Sequence, residues 1–281
     1  MPELPEVETM RMQLEKFLVG STITKVEVKT KNYDLPLENL INAKVISVRR
    51  FAKVSSIDLS NGYSILTHVK LTGQYIYRGK NLLNPLKLSS KVVGGLGGPH
   101  THVIFNLDPE GTLYYNDIRK FGWIRVLKTT DVEKEKFVVT LGPEPFKDLT
   151  FEYFNTLLSK SKRNIKVLLM DQTKIGGVGN IYANDALWLS KISPKRTSNT
   201  LTTDEQKKLY DAIITVLTAG LRYGGASELA FVTPDGNEGE YQNHTLVYAH
   251  TGKICVSCNK NKIEKFFLGG RGTYWCPICQ K

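Results

Sequence analysis

All four cysteines of this 281-residue chain fall in its last 27 residues, as Cys255-Val-Ser-Cys258 and Cys276-Pro-Ile-Cys279 with 17 residues between them. Two such knuckles at that spacing place four thiolates around one tetrahedral ion, the arrangement of a zinc ribbon. Two disulfides are the alternative, disfavoured in an intracellular chain without other cysteines. A site closed by four sulfurs keeps no open position, so its single Zn²⁺ is expected to brace a hairpin and to perform no chemistry. Between the knuckles lie Lys260, Lys262, Lys265 and Arg271 against the one acid Glu264, with Arg271 inside Gly269-Gly270-Arg271-Gly272. A basic tip on a backbone free to approach closely suits a phosphate chain, the plainer alternative being a solvated tip.

The rest of the chain agrees with a polyanionic partner. The formal charge is +11, with +7 over residues 1–130, −1 over 131–243 and +5 over 244–281. No apolar run approaches the roughly 18 residues of a membrane span. The N-terminus carries acids where a signal peptide has basic residues, and a soluble, intracellular protein is expected. Apolar spacing predicts a helix over 5–19, stopped at Gly20. Short alternating runs then predict strands over 22–28, 44–50, 54–59, 63–69, 74–78, 101–107, 112–116 and 122–127, an antiparallel sandwich or barrel interrupted by a loop over about 81–100. Helical periodicity follows at about 150–159, 164–171, 179–190 and 203–223, and a polar, Gly-containing stretch at 224–243. The domains read as 1–130, a linker 131–145, a helical domain 146–243 and the cysteine tail 244–281, the whole being multidomain α+β.

Met1-Pro2 opens a chemical possibility. Removal of Met1 frees a secondary amine, and an α-amino group titrates near 7.7–8.0 against about 10.4 for Lys, so far more of it is neutral and nucleophilic at pH 7. Such an amine can attack a sugar carbon and form an iminium without a cofactor. Pro2 and Pro5 can equally be helix starters, with Glu3, Glu6 and Glu8 favouring the positive helix end.

Met1-Pro-Glu-Leu-Pro-Glu-Val-Glu-Thr9 resembles the opening of bacterial formamidopyrimidine-DNA glycosylases, and the resemblance runs nearly end to end. Its other landmarks are Arg50-Phe-Ala-Lys53, Asp117-Ile-Arg-Lys-Phe-Gly122, Leu141-Gly-Pro-Glu-Pro145, Met170-Asp-Gln-Thr173, Gly177-Val-Gly-Asn-Ile-Tyr182 and the cysteine ribbon. The resemblance implies an N-terminal β-sandwich with a leading helix, then a helical domain with a helix-two-turns-helix and a zinc finger. It implies removal of oxidised purines (8-oxoguanine, formamidopyrimidines) from double-stranded DNA, followed by β,δ-elimination at the abasic site through a proline Schiff base. Pro2 is then the nucleophile at C1′, Glu3 the acid at the sugar ring, Glu6 a supporting group, and Lys53 a catalytic residue that contacts DNA beside the lesion.

Leu71, Arg119 and Phe121 match the residues that fill the hole left by a flipped base, Leu71 standing where the family has Met. Asn180, after Gly177 and Gly179 at the start of a helix, can hold a phosphate or serve as an N-cap, and the resemblance favours the phosphate; Lys162, in the basic run of Lys160, Lys162, Arg163 and Lys166, is an expected DNA contact, with a solvated face as the plainer reading. His68, His100 and His102 sit in strand-like segments and read as structural, and His100, with Arg271 of the basic tip, is also placed among the expected DNA contacts. The 224–243 loop matches the segment that closes over the damaged base. The expected partner is DNA with oxidised purines or abasic sites, met by a DNA-associated monomer in the cytoplasm or nucleoid of a bacterium. Two alternatives stand beside this reading: an endonuclease VIII-like enzyme for oxidised pyrimidines, against which Leu4 and the Arg119-Phe121 pair speak, and a catalytically silent DNA-binding protein of the same fold.

Overall fold

The computed structural model describes residues 1–82 and 87–281, so residues 83–86 of the expected 81–100 loop lie outside the described residues. The chain divides into two compact units, Met1–Val139 with Leu221–Gln242, and Thr140–Gly220 with Asn243–Lys281.

The first unit opens with helix α1 (Leu4–Leu18), which Pro5 initiates with its pre-set φ and whose stop is marked by Gly20 at φ +93°. Among the described residues eight antiparallel strands follow: β1 (Thr22–Val28), β2 (Val45–Phe51), β3 (Val54–Leu59), β4 (Tyr63–His68), β5 (Gly73–Gly79), β6 (Thr101–Asp108), β7 (Gly111–Asp117) and β8 (Trp123–Lys128). They form two four-stranded sheets, ordered β1-β6-β7-β5 and β2-β3-β4-β8. One apolar face of each sheet points inward, Ile23, Tyr75, Phe105 and Leu113 from the first and Val48, Ile57, Ile65 and Ile124 from the second, in a core shared with Val7, Met10, Leu14 and Phe17 of α1. Each such side chain contributes roughly 1.5–3 kcal/mol through burial, and together they fix α1 and hence the N-terminal residues ahead of it.

Strand β3 is buried on both faces. Its polar member Asp58 is satisfied by Ser47 (2.8 Å), Ser56 (2.8 Å), Ser64 (2.7 Å) and the Arg49 guanidinium (2.5 Å). Burial alone would raise the Asp58 pKa, but these donors outweigh it and hold it below the ordinary carboxylate value.

The contacts cut across the expected boundaries. Much of the stretch read as a linker belongs to the first unit: a short helix α2 (Lys136–Val139) carries Phe137 edge-on to His68 and Trp123. Residues 221–242, read as the end of the helical domain, also lie in the first unit. Pro234 O accepts from Tyr77 N (2.7 Å), Asp235 O from Arg78 (2.9 Å), and Lys91 Nζ bridges the Ser227 carbonyl and the Glu238 carboxylate.

The second unit holds α3 (Phe151–Lys160), α4 (Ile165–Leu169), α5 (Asn180–Leu189), α6 (Thr203–Arg222, its last two residues in the first unit) and the hairpin β9 (Glu264–Leu268) and β10 (Arg271–Trp275). Thr150 caps α3 through its hydroxyl (3.2 Å to Tyr153 N), and Asn164 caps α4 (3.0 Å to Lys166 N). Helix α5 is buried on nearly every side, and α6 passes so close to it that a Cβ on Gly220 would sit 2.5 Å from Cε1 of Tyr182.

Candidate functional site

In the first unit the N-terminal residues are packed, not frayed: Pro2 is buried, Glu3 is 3% exposed and Glu6 1%. Glu6 occupies the third helical position, and its Oε2 accepts the Glu3 N–H at 2.7 Å, half of a capping box. Its other oxygen accepts the Ala226 N–H at 2.7 Å, and a Cβ on Gly225 would meet Glu6 Cγ at 2.8 Å. One carboxylate therefore fixes both the turn that bears Pro2 and Glu3 and the start of the 224–243 loop. Glu8, two residues further on, is held by Arg50 (2.6 Å) and Arg11 (2.8 Å). Burial would raise its pKa, yet these two guanidinium groups bring it below the ordinary value.

Arg50 also donates to Ala52 O at 3.0 Å, bracing the β2–β3 turn in which Ala52 takes φ +49° and delivers Lys53. Lys53 is itself buried. Its charge joins that of Lys70 in acting on His68, whose pKa is pushed down to about 3, chiefly by burial. His68 is thus a neutral acceptor, taking the Lys70 N–H on Nδ1 at 3.0 Å, in keeping with the structural role read from sequence.

Leu71, half-buried, lies in the turn before β5, and Arg119 and Phe121 are exposed in the turn after β7. The pairing of β5 with β7 sets Gly73 opposite Asp117, so the two turns emerge side by side. The Arg119 guanidinium lies 4.6 Å from the Phe121 ring centre, and Phe121 is 55% exposed, an unusual presentation for a side chain that gains by burial. His100 is half-buried, and its carbonyl accepts the Asp117 N–H at 2.9 Å.

In the second unit, Gly179 occupies the N-cap of α5 and Asn180 is the first helical residue, so the N-cap reading of Asn180 does not hold. Asn180 is joined instead to the cysteine hairpin. Asn184 donates to Asn180 O at 2.6 Å and accepts the Tyr274 N–H at 2.8 Å. Lys166 departs from the reading of a solvated basic face. It is fully buried, with Nζ donating to Gly272 O (2.9 Å) and Thr273 Oγ1 (2.8 Å). Asp185, also fully buried, accepts the N–H groups of Leu246, Val247 and Tyr248 at 3.0 Å each. The hairpin that carries the exposed Arg271 is thereby tied to the helix that begins at Asn180; Lys162 is exposed ahead of α4. Lys166, Asn184 and Asp185 were not singled out as anchors, because their partners lie some 60 to 110 residues away in the chain.

Cys255, Cys258, Cys276 and Cys279 converge, all four sulfurs lying within 4.8 Å of one another and two pairs at 3.7 Å. A tetrahedron with metal–sulfur bonds of about 2.3 Å has sulfur–sulfur edges of about 3.8 Å, so the cluster is sized to hold a metal ion. Backbone N–H groups of Asn261 and Lys260 bring the Cys258 thiol down to about 6, whereas burial pushes Cys276 up to about 12 and raises Cys279 as well. Among the described residues no helix is long and apolar enough to cross a membrane.

Comparison with known proteins gives concordant matches. Residues 1–124 match the family profile of the formamidopyrimidine-DNA glycosylase N-terminal domain, and residues 141–231 that of the formamidopyrimidine-DNA glycosylase H2TH domain. The chain is 38% identical over 289 residues to the formamidopyrimidine-DNA glycosylase of Lactiplantibacillus plantarum, covering 100% of both. It is 39% identical over 286 residues to that of Rickettsia conorii, covering 100% of this chain and 99% of the other. Among solved structures, a complex of Lactococcus lactis Fpg (MutM) with DNA containing N7-benzyl-Fapy-dG aligns over 100% of both chains with a TM-score of 0.86 and 31% identity. A complex of MutM with DNA containing carbocyclic 8-oxo-G aligns over 100% of both at 0.85 and 31%.

Proposed function

The chain belongs to the formamidopyrimidine-DNA glycosylase family of DNA-repair enzymes, and on that basis we propose that it excises oxidised purines from double-stranded DNA and cleaves the abasic site with the same amine. The observation that carries the reading is the buried, doubly anchored Glu6, which locks Pro2 and Glu3 at the head of α1 against the start of the 224–243 loop. A nucleophile and an acid held this rigidly on a packed helix can meet a sugar in one geometry.

In the proposed reaction, the Pro2 nitrogen, freed by loss of Met1, attacks C1′ of a nucleotide turned out of the stack. The C1′–N bond breaks and its electrons leave with the base, which takes up the proton that the Pro2 nitrogen gives up. Glu3 protonates the sugar ring oxygen as the ring opens, leaving an iminium between Pro2 and C1′. Its positive charge acidifies C2′–H, and loss of that proton expels the 3′ phosphate; a second elimination expels the 5′ phosphate. Lys53 contacts the backbone beside the lesion. Leu71, Arg119 and Phe121 occupy the vacated stack, where the planar donor fork of Arg119 matches an unpaired cytosine.

Asn180, Lys162, His100 and Arg271 complete the grip on DNA. The four cysteines hold one Zn²⁺, which fixes the hairpin bearing Arg271. No second reading is favoured by the site itself; a Lactococcus lactis relative has been solved with DNA carrying an oxidised pyrimidine, which makes lesion choice the point to test. Excision rates on duplexes with 8-oxoguanine, a formamidopyrimidine and an oxidised pyrimidine test the proposal. Faster release of the purine lesions, with strand cleavage at the same site, is expected. Preference for the pyrimidine transfers the chain to the endonuclease VIII-like reading, and binding without release shows a silent DNA-binding protein.

A further inference from the structure

We infer that Thr72 and Asp117 form a positioning pair that holds the Lys70–Thr72 turn and the Ile118–Gly122 turn in one geometry, and so sets how Arg119 and Phe121 are presented. The inference rests on the roles proposed above for those two side chains. Asp117 ends β7 and is wholly buried. Its Oδ1 accepts the Thr72 hydroxyl and the Arg119 N–H (3.2 Å), and its Oδ2 accepts the Gly122 N–H (2.8 Å). Thr72 Oγ1 also accepts the Arg119 N–H, at 3.1 Å, so that one amide is shared by both members of the pair. The main chain of Asp117 is anchored as firmly: its N–H donates to His100 O (2.9 Å), and its carbonyl is 2.7 Å from His102 Nε2, with a donating tautomer.

Two features show why such a pair is needed. Lys70 (φ +50°) and Lys120 (φ +54°) both adopt the left-handed region, one in each turn. An L-residue is disfavoured there and stays only where its surroundings over-determine the backbone. Neither Arg119 nor Phe121 supplies that restraint, because both are exposed. The bonds to Asp117 and Thr72 do supply it. Gly122 closes the turn where a Cβ would fall on the Tyr115 hydroxyl and 3.0 Å from Asp117 Oδ2, so the carboxylate sits flush against the main chain. Within this frame the guanidinium of Arg119 stacks on Phe121, and the two side chains move as one presented surface. Removing the shared hydroxyl leaves the sheet intact, since Thr72 lies outside β5, but takes away the nearer acceptor of the Arg119 amide and the donor that steadies Asp117 Oδ1, and so loosens that amide and with it the direction in which the guanidinium points.

The test compares Thr72→Val, which removes the hydroxyl at nearly constant volume, with Thr72→Ser, which keeps it, and with Arg119→Ala. Two readouts are taken on the full-length protein: amide exchange without DNA, and excision of 8-oxoguanine opposite cytosine against adenine. Thr72→Val is expected to speed exchange of the Arg119 amide about tenfold or more with β2–β4 unchanged, and to lose about five- to tenfold of the cytosine preference. Thr72→Ser keeps both within about twofold, and Thr72→Val adds little on top of Arg119→Ala. An unchanged Arg119 amide in Thr72→Val overturns the pairing whatever the DNA assay shows. A freed amide with full cytosine preference, while Arg119→Ala loses it, overturns the positioning role alone. Full preference in Arg119→Ala overturns the base-reading assignment, and the exchange result still decides the pairing.

Discussion

Replacing Asp185 by asparagine should loosen the metal hairpin without touching a sulfur. The carboxylate accepts Leu246 N–H on Oδ2 and those of Val247 and Tyr248 on Oδ1, all at 3.0 Å, from a site with no solvent exposure. Asparagine can retain the two bonds to Oδ1, weakened by loss of charge, but it turns an NH₂ toward Leu246 N–H, so a donor faces a donor. A bond to a charged acceptor contributes about 1.5–3 kcal/mol, and the stranded amide adds desolvation cost. A net loss of about 3 kcal/mol, near a hundredfold in local opening, is expected. Hydrogen exchange reads this directly: the Leu246, Val247 and Tyr248 amides should exchange about a hundredfold faster while Ile213 in the middle of α6 does not change. Exchange at 246–248 within about threefold of the unaltered protein refutes the assignment of Asp185 as the anchor.

Three further outcomes are expected. Elemental analysis should find one metal ion per chain, and Cys276→Ser should lose it, and with it DNA affinity, while the far-ultraviolet circular dichroism changes little; undiminished metal content in the variant contradicts the cluster. The folded His68 imidazole titrates at about 3, with burial as the main cause, against an ordinary 6.5, so between these values the unfolded chain binds a proton that the folded one refuses. Stability is then full above about pH 6.5 and falls by up to about 1.4 kcal/mol per pH unit on acidification, and urea titrations of His68→Phe should show a flatter slope between about pH 6.5 and 5. Gly220→Ala should cost about 1–3 kcal/mol by overpacking, and less in a Tyr182→Leu background, where the ring that a Cβ would meet at 2.5 Å is gone; equal costs in both backgrounds contradict the close α5–α6 approach.

The parts of the fold that sequence exposes are those set by local periodicity. All eight sandwich strands were legible because each has one face in a shared core, and alternation survives even where β3 buries both faces by satisfying Asp58 with serines. The cysteine cluster was legible from spacing alone. Residues 131–139, most of the 310 turn and all of α2, were read as linker, being too short to show a period. The return of 221–242 to the first unit was also invisible, since it depends on partners such as Glu6, Gln74 and Lys91 more than a hundred residues away. Charge misled at Lys166, which looks solvated in a basic run and is instead buried with its ammonium hydrogen-bonded to acceptors on the hairpin. Asp117 stood in plain view within a recognised motif, yet its role required the β5–β7 register that brings Thr72 beside it.

The central claim is that one secondary amine performs both base release and strand cleavage. It is tested most directly by reducing the enzyme with borohydride during turnover on 8-oxoguanine DNA, digesting the adduct, and locating the sugar by mass spectrometry. The account predicts a single adduct on the peptide that begins at Pro2, on its nitrogen, and none when an uncleaved tag converts that nitrogen to an amide. An adduct on Lys53 or any other lysine, or undiminished strand cleavage by the tagged protein, contradicts it.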